Sequence, residues 1–219
     1  MSIIHKPALL VALVAGLGLG GMASYLQPEK LSPEPAALSL SNAQVSPHNT
    51  AGFPALKSGD FDLIDQNGKQ RTSVNPLGHH QLVFFGYAKC KAVCSIAIPN
   101  MAETVDLLDG MQIPVTPVMI TVDPQRDTVT ALKQAVPQMH PKMQGLTGDQ
   151  ENLDAAYKTF NLEKKFLFDH PDEGPVYAHG SFIYLLDPKG KFKTLFAPVT
   201  SPVRMAEIAA GYIVEDNKQ

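Results

Sequence analysis

Cys90 and Cys94 are the only cysteines of this 219-residue chain, and they close the run Leu82-Val-Phe-Phe-Gly-Tyr-Ala-Lys-Cys-Lys-Ala-Val-Cys94. A single histidine, His179, stands just ahead of a second apolar run, Phe182-Ile-Tyr-Leu-Leu-Asp187. Two thiolates and one imidazole can hold a soft metal ion, and two neighbouring thiols can cycle between dithiol and disulfide. A third reading gives the pair no chemistry: a disulfide that stiffens a loop, with His179 a satisfied polar side chain. Structural zinc takes four ligands, and only three good candidates are present. Two sulfurs and one nitrogen suit Cu(I), whereas Cu(II) could add a water or a carboxylate.

The surrounding residues favour thiolate under either chemistry. Ala97, Met101, Val105 and Leu108 recur at helical spacing, so a helix follows the cysteines. Pro99 is tolerated near a helix start, which predicts a beginning around residues 95 to 98 with Ser95 as N-cap. The cysteines would then lie on the loop feeding the positive end of the helix dipole. Lys89 and Lys91 flank Cys90, and both effects lower a thiol pKa.

The elements that must position these residues alternate. Residues 61 to 65 read as a strand entering a tight turn at Asn67-Gly68. Residues 82 to 87 and 115 to 122 read as buried strands. Helices are predicted over 128 to 136, stopped by Pro137, over 152 to 160, and over 205 to 213. A late hairpin joins residues 182 to 187 and 192 to 196 across Asp187-Pro-Lys-Gly190. This order predicts an α/β domain with a mixed central sheet flanked by helices on both faces. A dithiol between a central strand and a helix is the thioredoxin arrangement, here with three residues between the cysteines.

The N-terminal part reads differently. Residues 7 to 26 carry no charge, and twenty residues at about 1.5 Å each match a bilayer core. Residues 1 to 26 are therefore expected to be a membrane anchor, with a signal peptide cut after Gly21-Met22-Ala23 as the alternative. Basic residues precede the run, so the bulk of the chain should be translocated. Prolines at 28, 33, 35, 47 and 54 mark residues 27 to 55 as a flexible linker, which leaves residues 56 to 219 for the domain. A dithiol outside the cytoplasm tends to become a disulfide, so metal binding there would need an external thiol reductant. The net charge of -3 and the absence of a Lys/Arg run give no reason to expect a nucleic-acid surface.

Other candidates read as structural. His79 and His80 are expected in an exposed turn, and His170 in a loop before Pro171. Met139-His-Pro-Lys-Met143 offers thioethers to Cu(I) but reads first as a polar loop. Asp123-Pro-Gln-Arg-Asp127 reads as a turn with an N-cap aspartate.

Several of these pieces, in this order, resemble the Sco/SenC family of copper-handling thioredoxin-like proteins. They are Phe84-Phe-Gly-Tyr87 ahead of the cysteines, Thr121-Val-Asp-Pro-Gln-Arg-Asp-Thr128, Gly145-Leu-Thr-Gly148, and His179 ahead of Tyr184-Leu-Leu-Asp-Pro188. The resemblance spans residues 56 to 214. It implies a thioredoxin-like fold with an added β-hairpin behind one N-terminal transmembrane helix. It implies copper held by Cys90, Cys94 and His179, and a chaperone role in assembling the copper centre of cytochrome c oxidase. Partners would be an oxidase subunit or its assembly factors, and a thiol reductant protein. The place would be the bacterial inner membrane, with the domain facing the periplasm. The resemblance leaves room for a thiol-disulfide oxidoreductase, with Cys90 attacking and Cys94 resolving, and for a metal-free binding module with a structural disulfide. The family usually reads Cys-Pro-Asp-Val-Cys-Pro, and Lys91, Ala92 and Ser95 depart from that pattern. Ala178 and Gly180 replace the aspartate and serine usual around the histidine. Fewer carboxylates and an added cation should weaken Cu(II) more than Cu(I).

Overall fold

The computed structural model describes residues 58–90, 94–172 and 174–218. The expected anchor and linker, and the Leu56 boundary, lie outside the described residues, as does Lys91. Among the described residues no helix is long and apolar enough to cross a membrane.

The chain begins with a hairpin, β1 (Asp62–Asp65) and β2 (Gln70–Thr72). Gly68 takes φ +76° in its turn, which is why Asn67-Gly68 signalled it. There follow β3 (His80–Gly86), α1 (Cys94–Gly110), β4 (Val115–Thr121), α2 (Val129–Met139), β5 (Gln144–Thr147) and α3 (Gln150–Thr159). Next come β6 (Lys164–His170), β7 (Gly174–His179), β8 (Ile183–Leu186), β9 (Phe192–Phe196) and α4 (Pro202–Asp216).

Seven strands form one mixed sheet in the order β2-β1-β5-β4-β3-β8-β9. β3 pairs parallel with β4 and antiparallel with β8, so it is central and every one of its residues is buried. That burial on both faces is what an unbroken apolar run encodes. Leu82 and Phe84 face a core shared with α1, α2 and α4, while Val83, Phe85 and Tyr87 face a second core under α3. The expected mixed sheet with helices on both faces is observed, as is the β8–β9 hairpin.

β6 and β7 form a separate two-stranded sheet that the residue patterns did not predict, although the resemblance implied an added hairpin. Five of the seven residues of β6 are exposed, so it shows no alternation of apolar and polar positions. Two helix limits also differ. α2 continues through Pro137 to Met139. Pro137 and Lys133, whose carbonyl would have received its missing N–H, are both exposed, so water can replace the lost bond. His140 N–H still closes the last turn on the Val136 carbonyl at 3.3 Å.

Candidate metal centre

Cys90 ends the loop leaving β3, and its N–H donates to the Tyr87 carbonyl at 3.0 Å. Cys94 is the first residue of α1, so the helix starts earlier than expected: Ser95 lies inside it, and Pro99 removes one early helical bond. Cys94 is thus at the positive end of the helix, buried in the core, while Cys90 is half-buried. The two form a disulfide with their Cα atoms 5.8 Å apart. The last residue of β3 must be glycine for close packing. A Cβ on Gly86 would stand 2.8 Å from the Phe84 ring and 3.1 Å from Cys94 Sγ.

His179 is the last residue of β7, in register with Lys164 of β6. Its ring meets Phe84 and Tyr87 edge-on, with centroids 6.2 and 6.3 Å away. The Gly180 carbonyl lies 3.0 Å from Nδ1. A carbonyl only accepts, so Nδ1 carries the proton and Nε2 presents a lone pair. Burial lowers the imidazole pKa, against a smaller upward pull from the Gly180 bond, which keeps the ring neutral. Nε2 is buried and has no hydrogen-bond partner among the described residues. One nitrogen of His179 and the two cysteine sulfurs all lie within 4.8 Å of one another.

An orphaned buried polar atom costs about 1–3 kcal/mol and calls for an explanation. A soft metal ion shared with the two sulfurs would satisfy it, once the disulfide is reduced. The donor set, two thiolates and a neutral imidazole whose other nitrogen is fixed by a backbone carbonyl, fits such an ion. The three residues singled out in the sequence are therefore brought together, although 85 positions separate His179 from Cys94 (179 minus 94).

The remaining candidates are structural, and three expectations need correction. His80 is buried rather than exposed: it opens β3, and its Nε2 lies 2.9 Å from Asp216 Oδ2 at the end of α4. Asp127 is not the N-cap of α2; Thr128 is, accepting from Ala131 N–H. The Asp127 carboxylate instead accepts from Thr121 Oγ1 at 2.7 Å and from Ala88 N–H at 3.1 and 3.3 Å. Burial is the main cause that raises its pKa. In the Met139–Met143 segment, His140 lies 3.2 Å from Asp106 Oδ1 and its Nδ1 accepts from Lys142 N–H at 3.1 Å, so both ring nitrogens are engaged in the turn. His170 ends β6 instead of lying in a loop. The aromatic walls Phe84 and Tyr87 were read as strand residues and as part of a family motif but not as walls of the site, because one sequence does not say which ring faces a site.

Residues 49–214 match the SCO1/SenC family model. An SCO2-like protein of Rickettsia conorii is 37% identical over 150 residues, covering 68% of this chain and 73% of the relative. Protein SenC of Rhodobacter capsulatus is 36% identical over 172 residues, covering 74% and 77%. Among solved structures, Bradyrhizobium japonicum ScoI with copper bound is similar at a TM-score of 0.61 and 29% identity, over 73% of this chain and 98% of that one.

Proposed function

The chain belongs to the SCO1/SenC family, and we propose on that footing that it binds copper and assists the assembly of cytochrome c oxidase. Copper is the cargo, and Cys90, Cys94 and His179 are its ligands. The observations that carry this reading are the buried, unpartnered Nε2 of His179 and the approach of one nitrogen of that ring to within 4.8 Å of both sulfurs. A disulfide that only stiffened a loop would give that lone pair nothing to do. Loading requires two electrons and two protons from a dithiol donor, which open the disulfide as the donor's own thiols oxidise. The start of α1 stabilises the Cys94 thiolate, and the neutral imidazole enters without losing a proton. Copper-bound structures of similar chains support copper as the cargo.

The same proposal places residues 1–26 in the bacterial inner membrane as a single anchor, residues 27–55 as its tether, and the domain in the periplasm. The uncharged run of residues 7 to 26 supports it.

Anaerobic titration of the reduced full chain with Cu(I), beside His179→Ala, tests the ligand set. One equivalent bound tightly, and at least tenfold more weakly in the variant, is the expected result. Binding indifferent to His179 overturns it.

A second reading has its own observation: Cys90 is half-buried while Cys94 is sealed, the asymmetry of an attacking and a resolving thiol. The Cys90 thiolate would attack a partner's disulfide and displace one partner thiolate. Cys94 would then attack Cys90 and release the second, leaving the partner reduced and this chain oxidised. Trapping of a mixed disulfide by Cys94→Ser supports this reading, and failure to trap one counts against it.

A further inference from the structure

The Asp123-Pro-Gln-Arg-Asp127 segment follows β4 and contributes no ligand, yet its last two side chains reach opposite halves of the site. Asp127 is 2% exposed, and both its oxygens lie within 3.3 Å of Ala88 N–H, two residues before Cys90. Its other partner, Thr121 Oγ1 at 2.7 Å, ends β4. The cysteine loop is thereby fastened to the rigid sheet through a side chain rather than a strand pair. Val122 N–H adds a backbone bond to the Gly86 carbonyl at 2.8 Å.

Arg126 turns the other way. Its guanidinium pairs with Asp123, which is 1% exposed, and donates from Nη2 to the Pro175 carbonyl of β7 at 2.5 Å. The same group lies over the Tyr87 ring, 5.3 Å from its centroid. Tyr87 in turn meets Tyr177 of β7 edge-on at 6.0 Å and His179 at 6.3 Å. The guanidinium fits against the hairpin where Gly174 has no side chain, because a Cβ there would lie 3.0 Å from Nη1. The hairpin that carries His179 therefore meets the sheet domain through the Arg126 guanidinium and the rings of Tyr87 and Phe84.

We propose that this segment sets the spacing between the sulfur pair and the imidazole, with Asp127 positioning the cysteine loop through Ala88 and Arg126 positioning β7 through Pro175 and Tyr87. Neither is a ligand, and each governs one half of the donor set. The importance of this for copper rests on the proposed function, but the spacing is read without metal.

The test crosses two variants with two metal-free readouts in the full chain. Asp127→Asn keeps one acceptor but turns an NH2 towards the Ala88 and Thr121 donors. Arg126→Lys keeps the charge opposite Asp123 but lacks the second arm that reaches Pro175. One readout is the thiol–disulfide equilibrium constant against glutathione. The other is the NMR signal of the His179 Nδ1 proton, held by the Gly180 carbonyl.

Asp127→Asn is expected to shift the equilibrium at least tenfold towards the dithiol, about 30 mV for a two-electron couple, and to leave the imidazole signal in place. Arg126→Lys is expected to broaden or lose the imidazole signal and to leave the equilibrium within twofold. Variants that move both readouts together, or neither, overturn the proposal, since a merely structural role gives no such crossing. If Arg126→Lys does not fold, Arg126→Gln, which also lacks the arm that reaches Pro175, takes its place with the same expectation. Failure of the wild-type chain to take up copper would sink the proposed function and leave this crossing intact.

Discussion

The sulfur half and the imidazole half of the site are built to different standards. Cys90 and Cys94 join β3, buried along its whole length and paired on both edges, to α1, whose apolar face is sealed in the core. His179 ends a strand whose only pairing partner among the described residues is β6, where Phe166, Leu167 and Phe168 are 49–53% exposed. Burial on both faces ties the first half to global stability. The hairpin contributes little apolar burial, so geometry there depends on a few polar and aromatic contacts. Damage to the fold and damage to the donor set should accordingly be separable.

The largest expected effect breaks the sheet half. Phe85 packs edge-on against Tyr157, Phe160 and Tyr184 at 6.0, 5.0 and 6.0 Å. Phe85→Ala should cost about 3–5 kcal/mol in urea denaturation, and a loss below about 1 kcal/mol would refute the contrast. Reducing the disulfide comes next. The loop it closes is short, with a sequence separation of 4, so loop-closure entropy contributes about 2 kcal/mol. Denaturation with and without reductant measures it.

The imidazole half should show itself through pH. Burial lowers the His179 pKa in the folded state, so the unfolded chain takes a proton that the folded chain refuses. Metal-free stability attributable to this group is present at higher pH and is lost as pH falls below about 6.5. The slope is at most about 1.4 kcal/mol per pH unit. His179→Ala should flatten that part of the profile, and an unchanged profile would mean that the imidazole is not desolvated. The smallest effect sharpens the contrast from the other side. Phe168→Ser, on the exposed face of β6, should change stability by no more than about 0.5 kcal/mol.

Legibility in the sequence follows the same division. The run Leu82–Tyr87 announced β3, and the periodic apolar residues announced α1, because burial leaves a pattern in residue types. β6 left none: Lys164-Lys-Phe-Leu-Phe-Asp-His170 mixes charge and apolar groups because almost none of it is covered. The two cysteines stood out as candidates by their chemistry, having no competitors, whereas His179 ahead of a strong strand was singled out chiefly by the family resemblance. Their convergence was not legible, because it depends on β8 returning beside β3 and on a hairpin with no pattern. Asp127 looked like a helix cap because a carboxylate beside a predicted helix start usually is one. Nothing local told of its reach to Ala88, 39 residues earlier.

The placement of β8 beside β3 has a consequence in time. A chain made from its N-terminus completes β3 and both cysteines 85 residues before His179 (179 minus 94), and β8 follows later still. The cysteines need only one another to react, whereas the imidazole reaches them only after the late strands have docked. Oxidation is thus available to a half-made chain and coordination by the complete set is not. The order of synthesis alone leaves the thiols open to closure before the imidazole arrives.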